Sequence, residues 1–516
     1  MFEKNDVRTR FAPSPTGYMH IGNLRTALYA YLIAKKNKGT FILRIEDTDR
    51  ARLVEGATEI IIKTLKNAGL VYDEGPDVGG PVGPYVQSER KEIYGRHAKE
   101  LCASGAAYYC FCASDEAGLE TNSQNTDDPC RGLPYEESKR RADAGEPFAV
   151  RMKAPKEGET TVVDMVFGEV TTPNKILDDM VLLKRDGMPT YNFANVIDDH
   201  LMGITHVLRG SEYISSAPKY NLLYEAFGWE IPEYITVSMI NRDAHNKLSK
   251  RHGDPTYNDL LEQGYLPEAV LNFVALLGWS PGGEREIFTL DELVQIFDVS
   301  GISKSPAVFD IEKLKHFNGE YIRKMPPEEF AKLAGPYIRK AVKNEHISVG
   351  AIAALLQPRL EKLSDIPGKI GFFDTLREYD TALFEHQKSK VDKTIALEML
   401  KAAKNEFETL TASGLREARA DGLQVEAGGG QTRAGGSQRE ILWTNEAIYG
   451  ILTSLAEKLG VKNAALMWPV RIAVSGVAVT PGGAVEICHI LGREETLRRI
   501  EIGIKALQAD QKAQET

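Results

Sequence analysis

Apolar residues in the first 70 positions alternate between strand-like and helix-like spacing. Residues 8–12 predict a short strand that runs into a loop rich in proline, serine and glycine. Beginning at Leu24, apolar residues recur at i, i+4, i+7 and i+8, which predicts an amphipathic helix. A second buried strand is predicted over 41–45 and a second helix over about 55–67. This order of strand, loop, helix, strand and helix is typical of the N-terminal part of a doubly wound α/β sheet.

The pattern changes twice further along the chain. Residues from about 86 to 187 do not continue the alternation of predicted strands and helices, and this stretch is interpreted as an insertion between two halves of one domain. The α/β pattern resumes at 180–183 and continues through 204–209. From about residue 255 onward the apolar spacing is almost entirely helical. Residues 420–438 are rich in glycine and predict a loop or insertion.

Composition narrows the class of protein. The chain has 516 residues, 42% hydrophobic and 26% charged, with a formal net charge of −10 and five cysteines. It lacks an apolar run of membrane-spanning length and a signal-peptide pattern, so we expect a cytoplasmic protein without a membrane partner. The negative charge argues against a general nucleic-acid binder, although it leaves room for one basic face.

A histidine lies in a glycine-containing loop between the first predicted strand and helix. Residues 13–23 read PSPTGYMHIGN. Phosphate groups bind at helix N-termini, where backbone N–H groups and the positive dipole end are free. Gly17 and Gly22 allow a nucleotide to approach the backbone, while His20, supported by Asn23, can donate a hydrogen bond to a phosphate oxygen. The alternative is a buried structural histidine.

A basic pentapeptide follows the resumed α/β pattern. Residues 247–251 read KLSKR and include Lys247, Ser249 and Lys250. A run of this kind is ordinarily a solvated surface loop. After a nucleotide-binding pattern, however, it predicts a loop that brings Lys250 onto a leaving pyrophosphate.

The two motifs together are similar to the ATP-handling motifs of class I aminoacyl-tRNA synthetases, usually written HIGH and KMSKS. Additional segments narrow the resemblance, and the chain resembles bacterial-type glutamyl-tRNA synthetases over about residues 8–508. The segments are 9–17 (TRFAPSPTG), 44–50 (RIEDTDR), 189–200 (PTYNFANVIDDH) and 247–251 (KLSKR).

The resemblance implies an architecture for the whole chain. The expected fold is an α/β Rossmann-like class I catalytic domain with an inserted α+β domain, followed by all-α stem-contact and anticodon-binding domains. The expected divisions are 1–85 with 188–254 (catalytic), 86–187 (insertion), 255–325 (stem contact), 326–395 (first anticodon-binding domain) and 396–516 (second anticodon-binding domain).

The resemblance also implies a set of site residues. His20 and Lys250 are the expected catalytic residues, and the expected ATP site comprises Gly17, His20, Gly22, Asn23, Lys247, Ser249 and Lys250. The expected glutamate site comprises Arg10, Ala12, Ser14, Glu46, Tyr191, Asn195 and Arg209. In it, Glu46 meets the substrate ammonium and Arg209 the side-chain carboxylate. Independently, arginine pairs with carboxylates in a two-pronged geometry that lysine cannot match.

The implied reaction has two steps. Glutamate attacks the α-phosphate of ATP, accompanied by Mg²⁺, and the acyl group then passes to the 2′-hydroxyl of the terminal adenosine of tRNA(Glu). Gln357 stands near the place where some relatives have an arginine that reads the last anticodon base. This substitution raises the hypothesis that tRNA(Gln) is a second substrate. A monomer is expected.

Four of the five cysteines fall in the predicted insertion: Cys102, Cys110, Cys112 and Cys130. Some members of the family hold a structural zinc there, which implies Cys110, Cys112 and Cys130 as ligands. Structural zinc takes four nitrogen or sulfur ligands, and the fourth is missing because no histidine follows Cys130. Asp127 and Asp128 are poor substitutes, so the alternative of a reduced thiol cluster stays open.

Four other protein classes share some of these features. A glutaminyl-tRNA synthetase would have no need of a cation at Arg209. A truncated relative that modifies a tRNA base lacks the anticodon-binding half, and a small nucleotidylyltransferase would not need the long helical tail. A non-catalytic tRNA-binding paralogue should have lost His20 or Lys250, and both are present.

Overall fold

The protein was analysed as a computed structural model. The structure describes residues 6–49, 52–112, 128–243, 246–248, 253–409 and 443–515. Contacts divide the chain into two compact units, Met1–Phe317 and Asn318–Thr516. No helix of the described ranges is both long and apolar enough to cross a bilayer.

The first unit contains eleven described strands. They are β1 (Arg8–Phe11), β2 (Thr40–Leu43), β3 (Ala107–Cys110), β4 (Ala149–Met152), β5 (Glu159–Asp164), β6 (Gly168–Pro173), β7 (Val181–Leu183), β8 (His206–Gly210), β9 (Glu233–Val237), β10 (Ile240–Asn241) and β11 (Ala307–Val308).

The main sheet has six strands in the order β2-β1-β8-β9-β5-β6. The first five strands run parallel, and β6 returns antiparallel to β5. A separate antiparallel sheet has the order β3-β4-β7, and β10 pairs with β11 in parallel. The predicted α/β class is therefore confirmed in this unit.

Ten α-helices that begin in the first unit are described, and the last of them contains the boundary between the units. They are α1 (Ile21–Lys36), α2 (Ala57–Asn67), α3 (Lys91–Ser104), α4 (Tyr135–Asp143), α5 (Tyr191–Leu201), α6 (Ala217–Phe227), α7 (Tyr257–Glu262), α8 (Pro267–Ala275), α9 (Leu290–Ile296) and α10 (Ile311–Lys324).

Alternation along the strands places two hydrophobic cores on the two faces of the main sheet. Successive side chains of a strand point to opposite faces. On β2, Phe41 belongs to the core that contains α1, whereas its neighbour Ile42 belongs to the core that contains α5 and α6. On β8, Leu208 and Val207 divide in the same way. Burial on both faces explains the consecutive apolar residues at 41–43 of β2 and 207–208 of β8.

One expectation for the α/β pattern is wrong. Residues 180–183 do not resume the parallel sheet, because β7 pairs with β4 in the small antiparallel sheet. Conversely, β5 and β6 lie within the predicted insertion and yet extend the main sheet beyond β9. A short apolar run indicates a buried strand, but it does not show which other strand will pair with it.

The described part of the second unit is helical and contains no β-strand. Its helices are α11 (Pro327–Ala341), α12 (Val349–Leu356), α13 (Ile366–Ile370), α14 (Lys393–Thr409), α15 (Asn445–Lys458), α16 (Asn463–Ser475), α17 (Ala484–Leu491) and α18 (Arg493–Glu515). Buried Arg499 on α18 donates to the carbonyls of Phe372 at 2.6 Å and Val474 at 2.7 Å. The predicted glycine-rich loop 420–438 lies outside the described residues.

Candidate functional site

The N-terminus of α1 is capped by the histidine of the first motif. His20 has extended backbone angles, and its Nδ1 accepts a hydrogen bond from the Gly22 N–H at 3.1 Å. A neutral imidazole has one donor nitrogen and one acceptor nitrogen. Because Nδ1 accepts, Nε2 holds the proton of the neutral ring and acts as its donor. The loop thus presents an N–H donor beside the positive end of a helix.

A cleft of about 290 Å³ lies at the carboxyl ends of β1, β8 and β9. This is the edge at which open parallel sheets bind ligands. Ten predicted site residues line it: Arg10, Ala12, Ser14, His20, Gly22, Asn23, Glu46, Tyr191, Arg209 and Lys247. Residues separated by more than 200 positions in the sequence therefore meet in one cleft.

Of the four remaining predicted site residues, two are described and do not line the cleft. Gly17 does not line the cleft, although its φ of +118° is a backbone conformation that favours glycine. Asn195 is fully buried behind the cleft, where it bonds to Arg209 and to the Tyr191 carbonyl. Ser249 and Lys250 lie outside the described residues.

A buried carboxylate organises the arginines of the cleft. Asp199 accepts from Arg10 Nε at 2.9 Å and Nη2 at 3.2 Å, and its Oδ1 lies 2.8 Å from Arg44 Nη1. Burial alone would raise the pKa of Asp199, but the charges of Arg10 and Arg44 hold it well below its ordinary range. The neighbouring Asp198 similarly accepts from Arg90 Nε at 2.7 Å. Adjacent carboxylates on α5 thus fix three arginines from distant parts of the chain.

Arg209 is a cleft arginine with two donor atoms that are not used within the described part of the protein. Its Nη2 donates to Asn195 Oδ1 at 2.6 Å and lies 3.5 Å from Asp199 Oδ2. Its guanidinium carbon lies 4.4 Å from the ring centre of Tyr220. Nε and Nη1 are buried and have no hydrogen-bond partner within the described part of the protein. Two donors of a fixed, charged group are therefore available to an anion.

Glu46 supplies a carboxylate beside these arginines. Its backbone N–H donates to the Pro13 carbonyl at 3.0 Å, and its side chain lies 3.1 Å from Arg44 Nη2. Burial raises the pKa of Glu46, an effect that the charges of Arg44 and Arg10 oppose. Burial and the Glu46 charge also raise the pKa of Tyr191 well above its ordinary value, which keeps this phenol protonated.

Several cleft residues were not predicted from the sequence. They include Thr16, Arg25, Glu212, Tyr213 and Ser238. Glu212 and Tyr213 directly follow β8, and the rule that ligands bind at the carboxyl ends of parallel strands would have identified them. Tyr213 lies 5.5 Å from Tyr191, ring centre to ring centre.

The predicted cysteines form a cluster with one aspartate. Ligand atoms of Cys110, Cys112, Asp128 and Cys130 all lie within 4.8 Å of one another. The Sγ atoms of Cys112 and Cys130 are 3.6 Å apart, and Asp128 Oδ1 accepts from the Cys130 N–H at 2.9 Å. Asp128 is thus the fourth member, and Asp127 lies outside the described residues.

In the second unit, Gln357 is used inside the fold. Its Nε2 donates to the carbonyls of Ile322 at 2.9 Å and Met325 at 2.7 Å, and the residue is buried. The amide therefore holds the C-terminal end of α10.

Comparison with known proteins assigns a family to both parts of the chain. Residues 6–316 match the family model "tRNA synthetases class I (E and Q), catalytic domain", and residues 329–421 and 437–504 match "Anticodon binding domain". A glutamate–tRNA ligase of Clostridium tetani is 51% identical over 511 residues, covering 98% of each chain. One from Clostridium acetobutylicum is 50% identical over 511 residues, 98% of this chain and 99% of that protein.

Two solved structures have the same fold. The crystal structure of a glutamate tRNA ligase from Elizabethkingia meningosepticum, in complex with its amino acid, matches with a TM-score of 0.82 at 34% identity. The match covers 97% of this chain and 100% of that one. The glutamate–tRNA synthetase of Elizabethkingia anophelis matches with a TM-score of 0.80, the same identity and the same coverage.

Proposed function

This chain belongs to the glutamate–tRNA ligases, class I tRNA synthetases of the glutamate and glutamine type, and from that membership we infer how its cleft performs the reaction. It is an ATP-dependent ligase that activates glutamate to glutamyl-AMP. It then transfers the glutamyl group to the 3′-terminal adenosine of tRNA(Glu).

The observation that supports glutamate as the amino acid is the pair of unused donors on Arg209. Its Nε and Nη1 have no partner within the described part of the protein, and the residue lines the cleft. A side-chain carboxylate accepts a charge-assisted hydrogen bond from such a donor, whereas the neutral amide of glutamine accepts only a weaker one. Arg10 and Arg209 both line the cleft, and their positive potential favours an amino acid with a negatively charged side chain.

The remaining cleft residues orient the amino acid. Glu46 and the Tyr191 hydroxyl receive the ammonium group, and Ala12 and Ser14 form the wall along the substrate backbone. Arg10 is held by Asp199 and contributes positive potential beside the reacting α-carboxylate. Asn195 acts behind the cleft by holding Arg209.

The first motif receives ATP. Backbone N–H groups in the first turn of α1 donate to the phosphates, and Gly22 leaves room for their approach. His20 Nε2–H stabilises charge on the α-phosphate during attack. Asn23 and Lys247 line the same cleft, and Ser249 and Lys250 are proposed to steady the pyrophosphate. Mg²⁺ bound with ATP would neutralise phosphate charge.

The reaction is then a displacement followed by an acyl transfer. An oxygen of the glutamate α-carboxylate forms a bond to the α-phosphorus, and the bond to the leaving pyrophosphate breaks. The 2′-hydroxyl of the terminal adenosine next attacks the glutamyl carbonyl and releases AMP. Positioning and charge stabilisation supply most of the rate in such reactions.

Aminoacylation with labelled glutamate or glutamine and purified tRNA(Glu) tests this function. We expect product with glutamate alone, and a large loss of kcat/KM in Arg209→Leu. Arg285→Leu is a matched control, because Arg285 is an exposed arginine outside the cleft. Product with glutamine in place of glutamate would contradict the proposal and favour a glutaminyl enzyme.

Charging of tRNA(Gln) is a further proposal. The support is the lack of an arginine at Gln357 rather than a contact by its amide, which is already used within the fold. Charging assays with both purified tRNAs decide the question. Product on tRNA(Glu) alone would remove the proposal and leave the main function intact.

We further propose that the cluster of Cys110, Cys112, Asp128 and Cys130 holds a structural zinc ion. Zn–S bonds of about 2.3 Å in a tetrahedron place two sulfurs roughly 3.8 Å apart, close to the 3.6 Å between Cys112 and Cys130. The ion would tie the end of β3 to the turn at Cys130. Elemental analysis should find zinc in the unaltered protein and lose it in Cys112→Ser, whereas Cys102→Ser retains it. A metal-free protein would indicate a reduced thiol cluster.

Monomeric state and a cytoplasmic location complete the proposal. Light scattering on the purified full-length chain tests the first, and fractionation of the host cell tests the second.

A further inference from the structure

A second, smaller cavity lies behind Arg209. It has a volume of about 20 Å³, and its polar lining comes from Asp164, Arg209, Tyr234 and Thr236. Apolar side chains such as Val162 and Val207 form much of the remaining wall. A single water molecule needs a cavity of about 10–15 Å³, so this one has room for one water and excludes an organic ligand.

Strand register brings the polar residues together. Arg209 on β8 is paired with Thr236 on β9, and Val207 is paired with Tyr234. Residues two apart on a strand share one face. Arg209, Tyr234 and Thr236 therefore project from the same face of two adjacent strands, which is the face that borders the cavity.

Polar atoms at this cavity have unused hydrogen-bonding capacity. Tyr234 is 5% exposed and Arg209 is 9% exposed. Within the described part of the protein, neither Tyr234 Oη nor Nε and Nη1 of Arg209 has a hydrogen-bond partner. Buried polar groups are nearly always hydrogen-bonded, to the protein or to an ordered water. A buried water typically makes about three hydrogen bonds, and Asp164 and Thr236 also line this cavity.

We propose that one ordered water in this cavity joins the Tyr234 hydroxyl to the Arg209 guanidinium, and that Tyr234 is thereby a positioning residue for glutamate recognition. This inference rests on the proposed function of Arg209. Asn195 holds Nη2 from one side at 2.6 Å, and the ring of Tyr220 covers one face of the guanidinium. The water fixes a further nitrogen, which leaves the other free nitrogen to meet the substrate carboxylate.

The kinetic test compares two tyrosines whose buried hydroxyls lack partners within the described residues. Tyr234→Phe removes the proposed water contact and keeps the ring. Tyr257→Phe is the matched control, because Tyr257 is fully buried in α7 and does not line the cleft. In the proposed function, Arg209 binds the side-chain carboxylate of glutamate, which is remote from the reacting α-carboxylate. Weakening this contact therefore lowers the binding of the ground state and of the transition state equally. Such a loss raises KM and leaves kcat unchanged.

We expect Tyr234→Phe to raise KM for glutamate about tenfold, equivalent to about 1.4 kcal/mol. Its kcat should stay within about twofold of the unaltered protein, and Tyr257→Phe should leave KM unchanged. A KM for Tyr234→Phe within about twofold of the unaltered protein would overturn the inference, as would an equal rise in Tyr257→Phe.

A high-resolution crystal structure of the unaltered full chain gives a readout that does not depend on the variants folding. Density for a water within hydrogen-bonding distance of both Tyr234 Oη and Arg209 supports the inference, and its absence overturns it. The two hypotheses fail separately. Without glutamylation of tRNA by the unaltered protein the proposed function fails, whereas normal glutamylation without this water removes only the role of Tyr234.

Discussion

Replacing Asp199 with asparagine tests whether one buried charge holds the arginines of the cleft in place. The carboxylate is fully buried, 2.9 Å from Arg10 Nε and 2.8 Å from Arg44 Nη1. Arg209 Nη2 lies 3.5 Å away. The amide keeps the shape of the side chain and removes its charge, so three guanidinium groups lose a common counter-charge.

The expected cost follows from this burial. Removing one partner of a buried ion pair destabilises a protein by about 3–5 kcal/mol, because the other charge stays buried without compensation. A unit of this size loses about 2 °C of Tm per kcal/mol. We therefore expect Asp199→Asn to lower the melting temperature of the first unit by about 6–10 °C.

Differential scanning calorimetry on the full chain measures this shift. Asp143→Asn is the control, since Asp143 pairs with Lys139 on an exposed helix surface and should leave Tm unchanged. If Asp199→Asn also melted within about 1 °C of the unaltered protein, the buried charge would not hold the cleft together.

The difference in Tm between the unaltered protein and Asp199→Asn should depend on pH. Burial would raise the pKa of Asp199, but Arg10 and Arg44 hold it below the ordinary value of about 3.9. The stabilisation is therefore fully present above about pH 4 and is lost as the pH falls toward the folded-state pKa. The difference in Tm should be constant from about pH 5 to 8 and should shrink below about pH 4. A difference that shrank toward alkaline pH would contradict this account.

Three further predictions follow from individual residues. Burial raises the pKa of Glu46, so kcat/KM for glutamate should rise with pH on the acid side, and the pH profile of Glu46→Gln should lack that limb. A Cβ at Gly39 would overlap the Val7 carbonyl, whereas one at Gly95 within α3 meets no atom within 4 Å. Gly39→Ala should thus lower Tm, and Gly95→Ala should add about 0.5–1 kcal/mol of stability. Arg499→Met leaves two buried carbonyls without their donor, so calorimetry should show a less stable second unit with an unchanged KM for glutamate.

The local structure around the cleft was predictable because it depends on nearest neighbours in the sequence. The strand before the loop, the helix after His20 and the strand that contains Arg209 all follow from apolar spacing and from glycine. The rule that parallel strands present ligand sites at their carboxyl ends then places Arg10 and Arg209 on the same edge of the sheet.

The partners of buried charges were not predictable in the same way. Asp199 meets Arg10 across 189 positions of sequence, and Asp198 meets Arg90 across 108. In the sequence, the two aspartates are simply polar residues near the end of a helix. Their function depends on which strands become neighbours, and local periodicity contains no information about that choice.

Strand pairing limits the prediction of the insertion for the same reason. The apolar run at 181–183 indicated a strand correctly, yet β7 joined a different sheet from the one expected. Asp128 entered the cysteine cluster because the chain turns back at Cys130. Its position two residues before Cys130 made Asp128 a candidate, but the sequence did not distinguish it from Asp127.

The return of β5 and β6 to the main sheet has a consequence for engineering this enzyme. The backbone of Met165 bonds to Tyr234, and Asp164 is paired with the same residue. A graft that exchanged the segment between residues 85 and 188 with that of a relative would bring foreign strands against β9 and rebuild one wall of the space behind Arg209. The segment therefore cannot be exchanged independently of the main sheet, and a chimera should take β5, β6 and β9 from the same parent protein.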